Sequence, residues 1–92
     1  MADSSHSYTL LEIKEMSFEI AIPLLDKMIE ENPQDEEALT LRGQKLWKQN
    51  RRREAINDYL QAISINPASR AKILLDYANS ILDYYNKDLL NP

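Results

Sequence analysis

Apolar residues recur every three or four positions along most of the chain, and this spacing predicts α-helices rather than strands. The pattern is clearest in four stretches, over residues 18–31, 36–49, 52–64 and 69–86. A less regular stretch over residues 8–16 predicts a short first helix. Val is absent and Gly occurs once, so residues with good helix propensity dominate. The pattern therefore predicts an all-α chain of about five helices.

Capping residues and prolines indicate where these helices begin and end. Asp35 stands at an N-cap position, where its carboxylate can accept a hydrogen bond from the first turn. Asn50 is expected to end that helix, because Asn tolerates the left-handed backbone found at helix ends. Ser17 and Ser69 are predicted caps of two further helices. Pro23 lies inside the stretch 18–31, so we expect that helix to begin late, near Ile20, or to kink.

The chain also contains an internal repeat, marked by two Asn-Pro pairs. We call the interval from Pro33 to Pro67 the repeat interval (67 − 33 = 34). Moving the central segment back by the repeat interval places Ala55 on Ala21, and the two small residues then share a register. Small residues at such positions let neighbouring helices approach closely. Gly43 is expected to serve the same purpose, since a Gly within a helix costs about 1 kcal/mol relative to Ala.

Residues 38–67 resemble a tetratricopeptide repeat (TPR), a helix-turn-helix unit of about 34 residues. The positions that carry the resemblance are Leu39, Gly43, Leu46, Ala55, Tyr59, Ala62 and Pro67, with Ala21 and Pro33 one repeat earlier. Arg42, Asn50 and Arg52 depart from the pattern by replacing a Leu, a turn Gly and an aromatic residue. We expect Arg42 and Arg52 to thin the apolar packing of the helical hairpin.

The resemblance implies a fragment of an α-solenoid. Its parts would be a flexible tail (1–7), a degenerate first repeat (8–33), one full repeat (34–67), and a C-terminal capping helix with a tail (68–92). The segment 84–88, Tyr-Tyr-Asn-Lys-Asp, is similar to the ending of small bacterial TPR proteins. In that part of the chain the helix is expected to end near Asn86, and Leu89 and Leu90 to follow in the tail.

Composition excludes several function classes. Cys is absent, His6 is the one histidine, and the net charge is −4, so a metal centre or broad nucleic-acid binding is not expected. No apolar run reaches the roughly 18–20 residues that cross a bilayer, and residues 1–7 lack the features of a secretory signal. No phosphate-binding Gly loop or nucleophile–base pair is present. We therefore expect a cytoplasmic protein that is not an enzyme and uses no cofactor.

Protein binding is the function that remains. In repeat proteins of this kind the first helix of each unit lines a concave groove. Family geometry would place the following residues there: Glu37, Thr40, Gln44, Trp47, Lys48, Leu74, Ala78 and Leu82. This set suits an apolar peptide or an amphipathic helix of another protein better than a C-terminal carboxylate. Trp47 has two interpretations, an exposed anchor or a ring packed on the first helical pair.

Two other interactions are open from the sequence. The last helix carries more apolar residues than one face needs, including Leu75, Tyr84, Leu89 and Leu90, so it could form a homodimer. The basic run 51–53 could contact an anion or RNA. Its alternative interpretation is a solvated turn between helices, in which Glu54 provides a nearby opposite charge.

Overall fold

The structure, a computed structural model, describes residues 8–90, with side chains as far as residue 84. The described residues form five α-helices and no strands: α1 (Leu10–Lys14), α2 (Phe18–Glu31), α3 (Glu36–Lys48), α4 (Arg52–Ile65) and α5 (Ala71–Leu90). The predicted all-α class and helix number are confirmed. The predicted flexible tail over residues 1–7, which includes His6, lies outside the described residues.

The helices pack mainly on their neighbours in sequence. Helix α3 lies against α2 on one side and α4 on the other, and α4 also contacts α5. The short helix α1 packs on α2 and α3. Two clusters of buried residues result: Leu39, Leu46, Ala55, Tyr59, Ala62 and Ala71 between α3, α4 and α5, and Ile13, Ala21, Leu25, Ala38 and Leu41 between α1, α2 and α3.

The small residues allow α3 and α4 to approach closely, as predicted. A Cβ atom added to Gly43 would lie 2.6 Å from Cε1 of Tyr59 and 3.2 Å from the carbonyl oxygen of Ala55. The first distance is well inside van der Waals contact, so only hydrogen fits at this position. The Gly that weakens α3 locally therefore permits the close approach of α4 to α3.

The two Asn-Pro turns have the same geometry. The side-chain oxygen of Asn32 accepts a hydrogen bond from the Gln34 N–H at 3.1 Å, and that of Asn66 accepts from the Ala68 N–H at 3.0 Å. Each Asn also ends its helix by donating its backbone N–H four residues back. An Asn side chain that mimics a backbone turn in this way leads the chain directly into the next helix. Pro33 and Pro67 are both exposed in these turns.

The end of α3 depends on Asn50, which has a φ of 62°. The N–H of Asn50 donates to Trp47 and the N–H of Arg51 donates to Leu46, both at 3.0 Å. This pair of bonds is the Schellman motif, with Asn in the position that Gly usually occupies. The predicted left-handed Asn is confirmed.

Three predicted boundaries are wrong. Helix α1 spans Leu10–Lys14 instead of residues 8–16, because Thr9 and Glu12 form a capping box that fixes its start. Helix α2 begins at Phe18, so the predicted extent 18–31 is confirmed and the late start near Ile20 is wrong. The alternative, a kink at Pro23, stays a prediction. Pro23 lies inside α2 and is exposed.

The third boundary is the end of α5, which continues past Asn86 to Leu90. No Gly or Pro interrupts this segment, and Lys87, Leu89 and Leu90 have good helix propensity, so Leu89 and Leu90 belong to the helix and not to a tail. At its other end α5 begins at Ala71 and not at Ser69, although the hydroxyl of Ser69 accepts a hydrogen bond from the Ala71 N–H. The same hydroxyl donates to the carboxylate of Glu36 at 2.6 Å, and this bond ties the start of α5 to the start of α3.

Candidate functional site

A small groove lies between α3 and α5, on the side where the sequence predicts a binding face. Its volume is about 120 Å³, and its walls are mostly apolar. The lining residues are Gln44, Trp47, Lys48, Tyr59, Leu74 and Tyr77. We refer to this set as the α3–α5 groove. Four of its six members belong to the predicted groove residues.

The floor of the α3–α5 groove is the ring of Tyr59, held against Gly43 by the close helix pair. Burial raises the pKa of Tyr59 to about 12; the charge of Asp58 acts in the same direction, while that of Arg70 opposes it. The phenol therefore stays neutral across the physiological pH range. The groove floor consequently presents an uncharged aromatic surface.

Trp47 is partly packed and partly exposed, so it has features of both roles considered from the sequence, a packed ring and an exposed anchor. Its ring packs against the cluster that contains Leu46, and the same ring forms part of the groove wall. The guanidinium of Arg52 lies 4.7 Å from the ring centroid, a cation–π contact. A ring held on two sides loses little conformational entropy when a partner binds, which favours its use as a contact residue.

The other predicted groove residues lie elsewhere. Thr40 is 0 % exposed and its hydroxyl donates to the Glu36 carbonyl at 2.8 Å, so it cannot contact a partner. Ala78 is also buried, so its side chain is not available to a partner. Glu37 is exposed in the first turn of α3, and Leu82 is half-buried farther along α5. Neither lines the α3–α5 groove.

Sequence reasoning missed two of the residues that line this groove. It assigned Tyr59 to repeat packing alone, although one part of the ring reaches the surface of the groove. It placed Tyr77 in the apolar stripe of the last helix without assigning it to the groove. The spacing of Leu74 and Tyr77, one helical turn apart, could have indicated a shared face.

A larger groove of about 700 Å³ lies on the opposite side, between α2 and α4. We call it the α2–α4 groove. Arg42 lies at its base and donates to both oxygens of Asp58 at 2.8 Å and to Asp26 at 2.9 Å. These bonds, first of all those to Asp58, raise the pKa of Arg42 further above its ordinary value.

The role of Arg42 differs from the sequence expectation. Instead of thinning the packing, its guanidinium connects α2, α3 and α4 through two carboxylates. Asp58 is buried and Asp26 is half-exposed. Loss of the Arg42 cation would therefore cost more stability at Asp58, whose charge water cannot solvate.

The basic run at the start of α4 is largely engaged within the chain. Arg51 pairs with Glu54 at 2.6 Å and lies 5.8 Å from the ring centroid of Phe18. Arg52 covers Trp47, and Arg53 is exposed. Two of the three guanidinium groups thus already have acidic or aromatic neighbours within the chain. This arrangement favours a role in the turn between α3 and α4 over contact with an external anion.

Metal-binding side chains are not grouped in the part of the chain that the structure describes. Among those residues, no group of three or more His, Cys, Asp and Glu side chains could hold a metal ion. No helix in the described range is long and apolar enough to span a bilayer. A scan against protein-family models, a search of curated proteins and a search of solved structures found no match for this chain.

Proposed function

We propose that this chain is a TPR-like helical-repeat module that binds an apolar segment of another protein in the α3–α5 groove. The repeat register supports the TPR-like arrangement. Helix α2 (Phe18–Glu31) and helix α4 (Arg52–Ile65) correspond at both ends when one is moved by the repeat interval. The matching turns at Asn32 and Asn66 fall at the same interval.

The observation that carries the binding proposal is the composition of the α3–α5 groove. Three aromatic rings and Leu74 converge there, and Gln44 and Lys48 provide polar groups at its margin. Trp47 and Tyr77 are partly or largely exposed, and Trp and Tyr are enriched among the residues that contribute most to protein interfaces. The groove therefore has the composition of a contact site for an apolar side chain.

The size of the α3–α5 groove restricts the class of ligand. Small-molecule pockets usually measure about 300–1,000 Å³, whereas this groove measures about 120 Å³. A volume of that size accommodates one apolar side chain of a larger partner and not a whole cofactor. The partner is therefore a peptide or an amphipathic helix that inserts one anchor residue.

Positive charge at the margin of the groove further restricts the kind of sequence that the partner carries. Lys48 is exposed beside the groove, and Arg70 donates to the groove residue Gln44 at 3.3 Å. Two positive charges next to an apolar cavity favour an anchor residue flanked by Asp or Glu. Because both cations lie at the margin, they are expected to affect the association rate more than the final affinity.

The experiment is selection of displayed peptides on the immobilised protein, followed by titration of the selected peptides. Trp47 is the one Trp in the chain and lies in the groove, so its fluorescence reports occupancy directly. We expect selected peptides to carry a large apolar residue next to acidic ones and to change this fluorescence. Leu74→Gln should weaken their binding about tenfold or more, the scale of one lost interface anchor.

The matched control is Leu11→Gln, which makes the same kind of substitution at an exposed position on α1. It should leave binding unchanged, and thermal unfolding should show that both variants remain folded. Peptides that bind the Leu74→Gln variant as tightly as the parent protein would place the binding site elsewhere.

A further inference from the structure

The hydroxyl of Tyr59 lies at the floor of the α3–α5 groove. Tyr59 belongs to α4, and its ring passes beside Gly43 to reach a groove between α3 and α5, so the hydroxyl end of the ring is the part that enters the groove. The residue is 2 % exposed, and its hydroxyl has no hydrogen bond to any residue that the structure describes. Among the described side chains, Arg52 Nε is the buried polar atom that lacks both a partner and contact with solvent. The Tyr59 oxygen, which has no partner either, therefore remains in contact with solvent.

This hydroxyl is not needed for the packing of the ring. The atoms of Tyr59 that lie against Gly43 are the ring carbons Cδ1 and Cε1, and a Phe ring has the same two carbons. Polar atoms of buried side chains usually have a hydrogen-bond partner within the protein. A phenol that is almost entirely buried and leaves its hydroxyl open to a groove is therefore available to bond a ligand there.

The polar groups around the Tyr59 hydroxyl favour a ligand that accepts hydrogen bonds. The carbonyl oxygen of Gln44 already accepts from Arg70 at 3.3 Å, which leaves the amide N–H groups of Gln44 as donors. Lys48 is exposed at the margin and carries three N–H donors and no acceptor. The charge of Arg70 acts on the phenol directly, since it opposes the rise in the pKa of Tyr59. A ligand oxygen at the floor is therefore favoured over a ligand cation.

The walls of the groove require a side chain that is apolar apart from this oxygen. Three aromatic rings and Leu74 form most of the groove surface. A Leu, Ile or Phe side chain would fill the groove but would cover the Tyr59 hydroxyl without pairing it, which weakens binding. Trp, Lys and Arg side chains offer donors and no acceptor, and Met offers only a weak sulfur acceptor. Tyr is the side chain that combines a large apolar body with an oxygen at its tip.

We propose that the anchor residue of the partner is a tyrosine whose phenol oxygen accepts a hydrogen bond from the Tyr59 hydroxyl. The inference rests on the proposed function, because it names the residue that the groove takes. The apolar walls give affinity for any large apolar side chain, and the hydroxyl discriminates among such side chains. A site built to bond a ligand oxygen disfavours an analogue without that oxygen, because the polar group of the site is then left unpaired.

The proton of the anchor tyrosine also has an acceptor in the groove. An amide carbonyl oxygen has two lone pairs, and that of Gln44 uses one of them for Arg70. The anchor hydroxyl can therefore accept from Tyr59 and donate to Gln44, so that both phenols are paired. Neither phenol has to ionise, which agrees with the pKa of about 12 for Tyr59.

The test is a set of acidic peptides that share one sequence, taken from the displayed-peptide selection, and that differ only in carrying Tyr, Phe or Leu at the anchor position. Each peptide is titrated against the parent chain and against the Tyr59→Phe variant, with the fluorescence of Trp47 as the readout. The parent chain should bind the Tyr peptide about threefold to tenfold more tightly than the Phe peptide, the scale of one net hydrogen bond. In Tyr59→Phe this preference should disappear, because the two hydroxyls act as a pair.

The matched control is Tyr77→Phe, which removes a hydroxyl from the wall of the same groove. Tyr77 is 61 % exposed, so its hydroxyl does not depend on a ligand for a partner. This variant should keep the preference for the Tyr peptide. Thermal unfolding should show that both variants remain folded, since each loses one oxygen and keeps its ring.

The outcomes separate this inference from the proposed function. Equal binding of the Tyr and Phe peptides by the parent chain overturns the inference and leaves the proposed function standing. A preference that survives in Tyr59→Phe also overturns it, because another group then recognises the oxygen. If none of the peptides binds, or if all of them bind Leu74→Gln as tightly as the parent chain, the proposed function fails and this inference fails with it.

Discussion

Helices α3 and α5 correspond in sequence when one is moved by the repeat interval, yet α3 lies at the centre of the fold and α5 at its edge. Gly43 on α3 corresponds to Tyr77 on α5, Arg42 to Asp76, and Asn50 to Tyr84. Gly43 contacts α4, Arg42 bonds to Asp residues of neighbouring helices, and Asn50 ends α3. The three corresponding residues of α5 are exposed. Residues separated by the repeat interval therefore lie on corresponding faces of α3 and α5. The type of residue at each position decides whether another helix can pack on that face.

The largest expected effect comes from exchanging the first pair. Gly43→Tyr should abolish cooperative folding, because overpacking by even a few methylene groups costs about 1–3 kcal/mol and a phenol ring is larger. The space it would need is already occupied by Tyr59. Tyr77→Gly should cost only about 1 kcal/mol through lost helix propensity, since that side chain is mostly exposed. Thermal unfolding followed by circular dichroism compares the two, and equal losses would contradict the comparison.

The second pair should give a smaller but clear difference in the free energy of unfolding. Arg42→Ala leaves the buried Asp58 without its cation and should cost about 2–3 kcal/mol, below the value for a fully buried pair because Arg42 is partly exposed. Asp76→Ala should change stability by less than about 0.5 kcal/mol. Urea denaturation measures both.

A double replacement shows whether pairing or packing is responsible for the effect of Arg42. Replacing Arg42 and Asp58 together by Leu removes the stranded charge, so much of the lost stability should return. If the double variant is as unstable as Arg42→Ala, the methylene stem of the Arg and not its charge stabilises α3.

The third prediction concerns Tyr59, whose burial depends on the close α3–α4 pair. Its pKa is raised from 10.0 to about 12 in the folded chain, mainly by burial. The folded state therefore holds this proton more tightly than the unfolded state does. Its contribution to stability is complete below pH 10 and is lost as the pH rises towards 12. Tyr59→Phe keeps the ring and removes the proton.

Denaturation of the parent chain and of the Tyr59→Phe variant, measured in steps of pH across this range, isolates the effect. All other side chains are the same in the two proteins, so the difference between the two curves belongs to Tyr59. As the pH rises, the free energy of unfolding of the parent chain should fall relative to that of the Tyr59→Phe variant. Curves that run parallel would show that the ring is solvated in the folded chain.

Features that repeat along the chain were predictable from the sequence, and features that join distant side chains were not. The helices, the close approach at Gly43 and the left-handed Asn50 follow from spacing and local backbone preference. The bonds of Arg42 to two Asp residues, of Lys45 to the carbonyls that end α1, and of Glu36 to Ser69 do not. Each joins residues far apart in the chain and depends on helix crossing and rotamer, which leave no periodic trace in a sequence.

The same distinction explains the outcome for the groove residues. The resemblance to the repeat family implied a shared surface for Gln44, Trp47, Lys48 and Leu74, and these residues line the α3–α5 groove. The resemblance also implied that Thr40 lies there, but its hydroxyl donates to the carbonyl four residues earlier and its side chain is buried. Periodicity assigns a direction around the helix, whereas burial also depends on which helix lies in that direction.

The smallest predicted effect concerns the third pair, Asn50 and Tyr84. Helix α3 ends because Asn50 adopts a positive φ, whereas α5 passes through the corresponding Tyr84 and continues to Leu90. Asn50→Ala should cost about 1 kcal/mol, because a Cβ without a compensating polar group is strained in the left-handed region. Asn50→Gly should be neutral or slightly stabilising, since Gly adopts this conformation freely. Thermal unfolding ranks the three chains, and an Ala variant as stable as the Gly variant would show that α3 is ended by contact with α4 and not by the backbone of Asn50.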